Sequence, residues 1–250
     1  MADFKTHITT SSILGCIYGA GGFYIYDQPL PHSLVAAGLC SVAGMLPDLD
    51  SNSGIPQREM LSFVSVVIPM LMLKRFEALG LNAEHMVFIA GVMYVTIRFG
   101  IGNLFRRFTK HRGMWHSVPA ALVAGMVTFM ICLTPEFESR LFKSWAVVLG
   151  FVSHLVLDEI YAVNWEGKLP KTKKSFGTAL KFWGKDQMPN LFVYGNFALL
   201  VVMILGDDYM MSCLCDQPVA EAPESPLELF KSLFNHNHVG DGGSTETIHR

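Results

Sequence analysis

Seven side chains of the kinds that bind metal ions lie at the ends or margins of apolar segments in this chain of 250 residues. Histidine nitrogens and aspartate oxygens are ligands that proteins offer to zinc and related divalent cations. The seven candidates are His7, Asp48, Asp50, His111, His116, His154 and Asp158. These residue types predict a metal site, provided that the fold brings their segments together.

The most informative spacing is that of His154 and Asp158. Residues i and i+4 of a helix share a face, so this imidazole and this carboxylate are close enough to share a cation. A charged side chain near the middle of a membrane helix costs about 3 kcal/mol on insertion scales, so Asp158 requires a partner or water. Taken alone, the pair also fits a carboxylate at a helix end with a neutral histidine packed above it.

Three further segments carry the other candidates. In Leu46–Asp50, Pro47 favours an extended exit from the preceding helix, which would project both carboxylates. The block from His111 to Ser117 holds two imidazoles, an arginine and a serine that can cap the following helix. Singly, these segments also fit a polar turn and a basic interfacial loop, and His7 fits an interfacial histidine. Together they favour a metal site, because four segments would otherwise deliver ligand-type side chains to one face by accident.

The elements that position these residues are expected to be membrane helices. The chain is 51% hydrophobic and 16% charged, with a mean hydropathy of +0.35, which is unusual for a soluble domain. A helical span needs about 20 apolar residues. Apolar runs occur at residues 8–26, 34–46, 61–73, 85–105, 118–134, 145–163 and 191–205. We predict an all-α polytopic membrane protein with about six or seven hydrophobic helices; the short run 61–73 is either a tilted span or a re-entrant segment.

The candidates share one membrane face if all seven runs cross. Most of the 19 Lys and Arg residues fall on that face, including clusters within residues 106–112 and 168–185. The positive-inside rule makes this face cytoplasmic, which places the predicted metal site there. The run 61–73 is decisive, because without its crossing His111 and His116 would lie on the face opposite Asp48.

The composition turns polar and acidic from Asp216 onward, beyond the last apolar run. Residues 1–208 hold all the apolar runs and are predicted to form a membrane-embedded metal-binding domain, whereas residues 209–250 are predicted to be a polar, flexible tail. A net charge of -2 and the absence of alternating aromatic and basic residues argue against a nucleic-acid partner.

The order of these motifs resembles the YdjM-like predicted membrane-bound metal-dependent hydrolases of bacteria. The likeness covers about residues 5–160 and rests on His7, the Leu-Pro-Asp-x-Asp exit, the His-Arg-Gly-x-x-His-Ser block and the Ser-His-x-x-x-Asp helix. Trp115 departs from that pattern, since members usually have a small or hydroxyl residue there. The family is distantly similar to zinc-dependent phospholipases C and single-strand-specific zinc nucleases. The resemblance implies a multi-pass protein of the bacterial inner membrane and a phosphoester substrate, most naturally a lipid.

We therefore expect a membrane hydrolase that activates water with one or two divalent ions, zinc being favoured and manganese or magnesium being the alternatives. Asp48 or Asp50 could serve as general base instead of ligand. Arg112 could hold a phosphate group, and its simpler role is membrane topology and attraction to anionic lipid. The expected partners are the lipid bilayer and a lipid or phosphoester substrate. The alternative is a metal-binding membrane protein without catalysis, namely a transporter, a sensor or a structural or assembly protein.

Overall fold

A computed structural model describes residues 3–50, 54–101, 113–134, 136–164, 171–172, 177 and 180–207. The predicted ligand His111, the predicted phosphate-binding Arg112 and the tail 209–250 lie outside these residues. Of Asp50, only the backbone is described.

The described chain is helical, as predicted. Its helices are α1 (Phe4–Ile25), α2 (Leu30–Ala43), a 3-10 helix (Leu46–Asp50), α3 (Gly54–Leu71), α4 (Leu73–Ala78), α5 (Ala83–Val95), a π-helical stretch (Thr96–Ile101), α6 (Val118–Ile131), α7 (Phe137–Ile160) and α8 (Gln187–Leu205). Within the described residues, strand structure is limited to the antiparallel pair of β1 (Val163–Asn164) and β2 (Lys171–Thr172). The all-α fold class is therefore confirmed.

The outer surface of the helices is apolar. Helices α1, α7 and α8 are long and apolar enough to cross a membrane, and α2 and α6 are apolar but shorter. Large side chains point outward on several helices, with Ile17 64%, Phe88 70% and Val202 68% exposed. Apolar side chains exposed over so wide an area fit contact with lipid. The number of helices that cross the bilayer stays a prediction.

Small residues bring the helices close together. Helices α1 and α2 form a hairpin, α7 packs against both, and α6 packs against α7 and α8. A Cβ atom at Gly19 would lie 2.8 Å from the carbonyl oxygen of Ser33, and one at Gly150 would collide with that of Cys40. Glycine at these positions permits the close backbone approach that is common in membrane helix bundles.

The alternating helix directions give the bundle two distinct ends. The starts of α1 and α6 and the ends of α2 and α7 lie at one end, which we call the site end. At the opposite end, Arg140 in the first turn of α7 contacts Asp207 after α8, and Arg75 of α4 lies 3.6 Å from the same carboxylate. Helix α3 packs against the 3-10 helix through Met60 and Leu61 and leads into α4. It therefore runs from the site end to the opposite end of the bundle; that run 61–73 crosses the membrane stays a prediction.

The predicted extended exit at Leu46–Asp50 is wrong, because this segment is a 3-10 helix. The Asp48 N–H donates to the Met45 carbonyl at 3.2 Å. Pro47 is compatible with this turn for two reasons. The N–H of a first-turn residue has no acceptor within the helix, so its absence in proline costs no hydrogen bond, and the fixed φ of proline suits a helical conformation. Asp48 is consequently held on a short rigid helix rather than on an extended strand.

Candidate metal centre

The structure brings five of the seven predicted ligands together at the site end. Their ligand atoms form two sets, each with all atoms within 4.8 Å of one another. One set is His7, His154 and Asp158, and the other is Asp48, His116 and His154. His154 belongs to both sets. Asp50 and His111 stay predictions, since the first has an undescribed side chain and the second lies outside the described residues.

The first turn of α1 positions His7. Asp3 caps the helix, and its carboxylate accepts hydrogen bonds from the Thr6 hydroxyl and from the Thr6 N–H, the latter at 3.0 Å. These hydrogen bonds, that of the hydroxyl first, hold the pKa of the Asp3 carboxyl below its usual value. The His7 N–H donates to the Asp3 carbonyl at 3.1 Å. The cap therefore fixes the helix start from which His7 turns inward to a buried position.

The loop before α6 positions His116. Ser117 caps α6 as predicted, accepting a hydrogen bond from the Ala120 N–H at 3.4 Å. The indole N–H of Trp115 donates to the Leu46 carbonyl at 2.9 Å. The loop that carries His116 is thus tied directly to the 3-10 helix that carries Asp48.

A backbone carbonyl orients the shared ligand His154. Its Nδ1 lies 2.7 Å from the carbonyl oxygen of Gly44 at the end of α2. A carbonyl only accepts, so Nδ1 is the protonated nitrogen that donates, and in the neutral ring Nε2 presents its lone pair to the cluster. Metal-binding histidines are commonly fixed in this way by a second hydrogen bond.

The carboxylates lie around the histidine nitrogens. His154 Nε2 is 3.7 Å from Asp48 Oδ1 and 4.0 Å from Asp158 Oδ2. His7 Nε2 is 3.5 Å from Asp158 Oδ1, and His116 Nε2 is 4.0 Å from Asp48 Oδ1. The rings of His7 and His154 are stacked with centroids 3.7 Å apart. All of these nitrogens and oxygens therefore converge on one small volume.

The separations fit a shared cation better than direct hydrogen bonds. Direct N–H···O contacts span about 2.7–3.2 Å, shorter than the four nitrogen–oxygen distances in the cluster. Two ligands about 2.1 Å from a tetrahedral zinc ion are about 3.4 Å apart, near the observed values. The Nε2 lone pair of neutral His154 also faces carboxylate oxygens, and a cation between them removes that repulsion. The donor set consequently fits a divalent metal ion.

Exposure distinguishes Asp48 from the other ligands. The side chain of Asp48 is 20% exposed, whereas His154 is 1% exposed and the remaining three ligands are also buried. Water or a substrate would therefore reach the centre from the Asp48 side.

The sequence-based prediction missed two groups that position the candidate ligands. The Gly44 carbonyl gives no sequence signal, because every residue has one. Trp115 was noted only as a departure from a family pattern, although a partly buried indole N–H generally needs an acceptor, which could have suggested a tie to a neighbouring segment.

A family model described as YdjM inner membrane protein matches residues 1–214. The match includes all the described helices and every candidate ligand. No curated protein and no solved structure matches the chain.

Proposed function

The chain belongs to the YdjM inner membrane protein family, and from that membership and the geometry of the site we propose that it is a metal-dependent hydrolase acting on a phosphoester, with a lipid-type substrate. The observation that carries the proposal is His154, which Gly44 orients so that Nε2 lies between two carboxylates and within both ligand sets. The membrane location of the family favours a substrate within or beside the bilayer.

The buried residues would hold the ion, and the exposed one would face the substrate. His7, His116, His154 and Asp158 offer the mixed nitrogen and oxygen ligands typical of zinc, with manganese or magnesium as alternatives. A bound divalent ion would supply Lewis acidity and, in the case of zinc, would lower the pKa of its bound water to about 7. Asp48 can complete the ligand set or accept a proton as general base.

The residues outside the described region keep their predicted roles in this proposal. Asp50 and His111 would extend the ligand set, with Asp50 as the other candidate base. Arg112 would hold a phosphate group through paired hydrogen bonds.

The difference between the two ends of the bundle favours hydrolysis over transport. A transporter needs access to its binding site from both sides of the membrane. Within the described part of the chain, the candidate ligands crowd the site end, while Arg140 is fully buried against Asp207 at the opposite end. This asymmetry suits a site that exchanges substrate and product on one side.

The test is metal content followed by hydrolysis. We expect wild-type protein purified in detergent to contain a stoichiometric divalent metal by elemental mass spectrometry, and His154→Ala to lose it. His85→Ala is the matched control, because His85 is exposed on α5 away from the centre. Hydrolysis of bis(4-nitrophenyl) phosphate and of phosphatidylglycerol vesicles should follow metal content across the three proteins. Bound metal with no hydrolysis of either would instead favour the non-catalytic alternative, and wild type without metal after supplementation would contradict the site.

A further inference from the structure

An apolar groove with a volume of about 780 Å³ lies between α2, α3, α6 and α8. This volume is within the range of about 300–1,000 Å³ that is typical of ligand sites. Its lining contains no charged residue among those described. Three polar lining residues, Ser41, Thr128 and Asn196, each donate to a backbone carbonyl of their own helix, at 2.8, 2.9 and 2.7 Å. The groove therefore offers a surface suited to hydrocarbon.

Residues adjacent in sequence to two candidate ligands line one end of the groove. Leu46 and Leu49, which flank Asp48, line it at the site end together with Trp115, which precedes His116. Leu71 and Ile131 line it at the other extreme. One end of a bound molecule would consequently lie beside the candidate ligands while the rest extended along the helices.

The length of the groove matches one lipid chain. Its lining on α6 runs from Ala120 to Ile131, which at about 1.5 Å per residue is about 16 Å. The hydrocarbon core of a bilayer is about 30 Å thick, so one leaflet contributes about 15 Å. A chain that enters beside the metal centre would therefore reach about as far as it does in its own leaflet.

We propose that this groove binds the hydrocarbon chain of a lipid phosphoester whose phosphate lies at the metal centre. The inference rests on the proposed hydrolytic function and assigns a binding site to the hydrocarbon chain of its substrate. A chain held in the groove would fix the distance between the phosphoester and Asp48.

Gly38 is a position at which a larger side chain can fill the groove without a clash between helices. It lines the groove on α2, and a Cβ atom at this position would meet nothing within 4 Å. A Phe side chain there would occupy the groove itself. Gly195 on α8 is the matched control, because it is equally open but does not line the groove.

The experiment is photo-crosslinking in phosphatidylcholine nanodiscs with tetradecyl phosphate that carries a diazirine at the chain end. In wild type and in Gly195→Phe, we expect peptide mass spectrometry to find cross-links near Leu71 and Ile131. The yield should fall about tenfold or more in Gly38→Phe, since even one methylene misfitted in an apolar pocket changes selectivity by this order. Metal content should be retained in both variants, which shows that they fold. Cross-links spread over outward-facing residues such as Leu191, with equal yield in Gly38→Phe, would overturn the proposal.

Two further measurements separate this inference from the hydrolytic function. Asp48→Ala should keep the chain-end cross-links, because Asp48 does not line the groove. The ratio of kcat/KM for 4-nitrophenyl tetradecyl phosphate over the butyl ester should fall in Gly38→Phe and stay unchanged in Gly195→Phe. If neither ester is hydrolysed but cross-linking follows the expected pattern, chain binding stands and hydrolysis is wrong. Equal kcat/KM for the two esters in wild type, together with no groove cross-link there, would contradict chain binding.

Discussion

His154 has the central position among the candidate ligands because its Nε2 is common to both ligand sets. His7 and His116 each belong to only one set. The other ring nitrogen of His154, Nδ1, donates a hydrogen bond to the Gly44 carbonyl. The ring therefore presents only Nε2 to the cluster as a possible metal ligand. Losses of individual ligands should therefore have unequal effects on metal affinity.

The first prediction at the residue scale ranks the histidines. We expect His154→Ala to lower zinc affinity by more than about 100-fold, because even outer partners of metal ligands contribute about 10–100-fold. His7→Ala and His116→Ala should each lower it less, since one ligand set remains intact in each. Zinc titration against a chelating dye measures all three, and a greater loss in either single-set variant than in His154→Ala would contradict the ranking.

The second prediction concerns the Trp115 hydrogen bond to Leu46. Trp115→Phe keeps an aromatic ring but removes the N–H donor, at a cost of about 1 kcal/mol. Because the bond ties the His116 loop to the 3-10 helix that carries Asp48, we expect zinc affinity to fall by about 10-fold. Trp145→Phe, at an exposed position on α7, should leave affinity unchanged. Equal affinities in wild type and Trp115→Phe would show that the hydrogen bond does not position the ligands.

At the scale of elements, the contact between α2 and α7 controls the centre. Gly150 of α7 packs directly against the Cys40 carbonyl of α2. A Cβ atom added at Gly150 would also lie 3.0 Å from the Cβ atom of Ala43. One turn further along, α2 ends at Gly44 and α7 carries His154. The spacing of these two helices therefore sets the hydrogen bond that orients the shared ligand.

The prediction for this contact is made with Gly150→Ala. The added methyl group should separate the helices and destabilise the protein by about 1–3 kcal/mol, as overpacked cores do. It should also weaken metal binding, because the Gly44 carbonyl moves away from His154. Thermal unfolding in detergent and zinc titration measure the two effects. Gly91→Ala is the control, since a Cβ atom there meets nothing within 4 Å; a Gly150→Ala protein as stable as this control would contradict the packing argument.

At the scale of the whole molecule, a buried ion pair at the opposite end holds three segments together. Arg140 contacts Asp207 at 2.8 and 3.2 Å, and its guanidinium also donates to the Phe129 carbonyl at the end of α6. Arg75 lies near the same carboxylate. The pair joins α6, α7 and the end of α8. Arg140 lies about 21 Å from His154 along α7, since the two are 14 residues apart and a helix rises about 1.5 Å per residue.

Removing one member of this pair should destabilise the bundle. We expect Asp207→Ala to cost about 3–5 kcal/mol, because it leaves the Arg140 charge buried without its carboxylate. The double variant Arg140→Met with Asp207→Leu should recover much of that loss. Thermal unfolding measures both proteins, and a single variant no less stable than the double would contradict this account. Folded protein from the double variant should keep its metal.

Orientation in the membrane gives the other prediction at this scale. If the site end is cytoplasmic, a membrane-impermeant maleimide applied to intact spheroplasts should label Glu77→Cys but not Asp186→Cys in a cysteine-free background. Glu77 lies in α4 at the opposite end, and Asp186 precedes α8 at the site end. Detergent permeabilisation should expose both positions. The reverse labelling pattern would place the metal centre on the outer face.

The sequence by itself determined the class of protein and the approximate helices, and it identified the candidate ligands. These features depend on local composition: apolar runs of helical length, charges between them, and His and Asp at their margins. The Ser117 cap was predicted from residues adjacent to the helix start for the same reason. Local composition was less reliable at the ends of elements, since it missed the 3-10 helix at Asp48, and the apolar run 145–163 does not include the first turns of α7, which begins at Phe137.

The tertiary structure decided how those residues act together. Arg140 can lie in a buried helical turn only because Asp207, 67 residues later, compensates its charge. His154 is oriented by the carbonyl of Gly44, 110 residues earlier, and is shared by two ligand sets that come from separate helices. The apolar groove likewise exists only between packed helices. Such features depend on distances between residues far apart in the chain, and those distances are fixed by packing rather than by any local pattern of sequence.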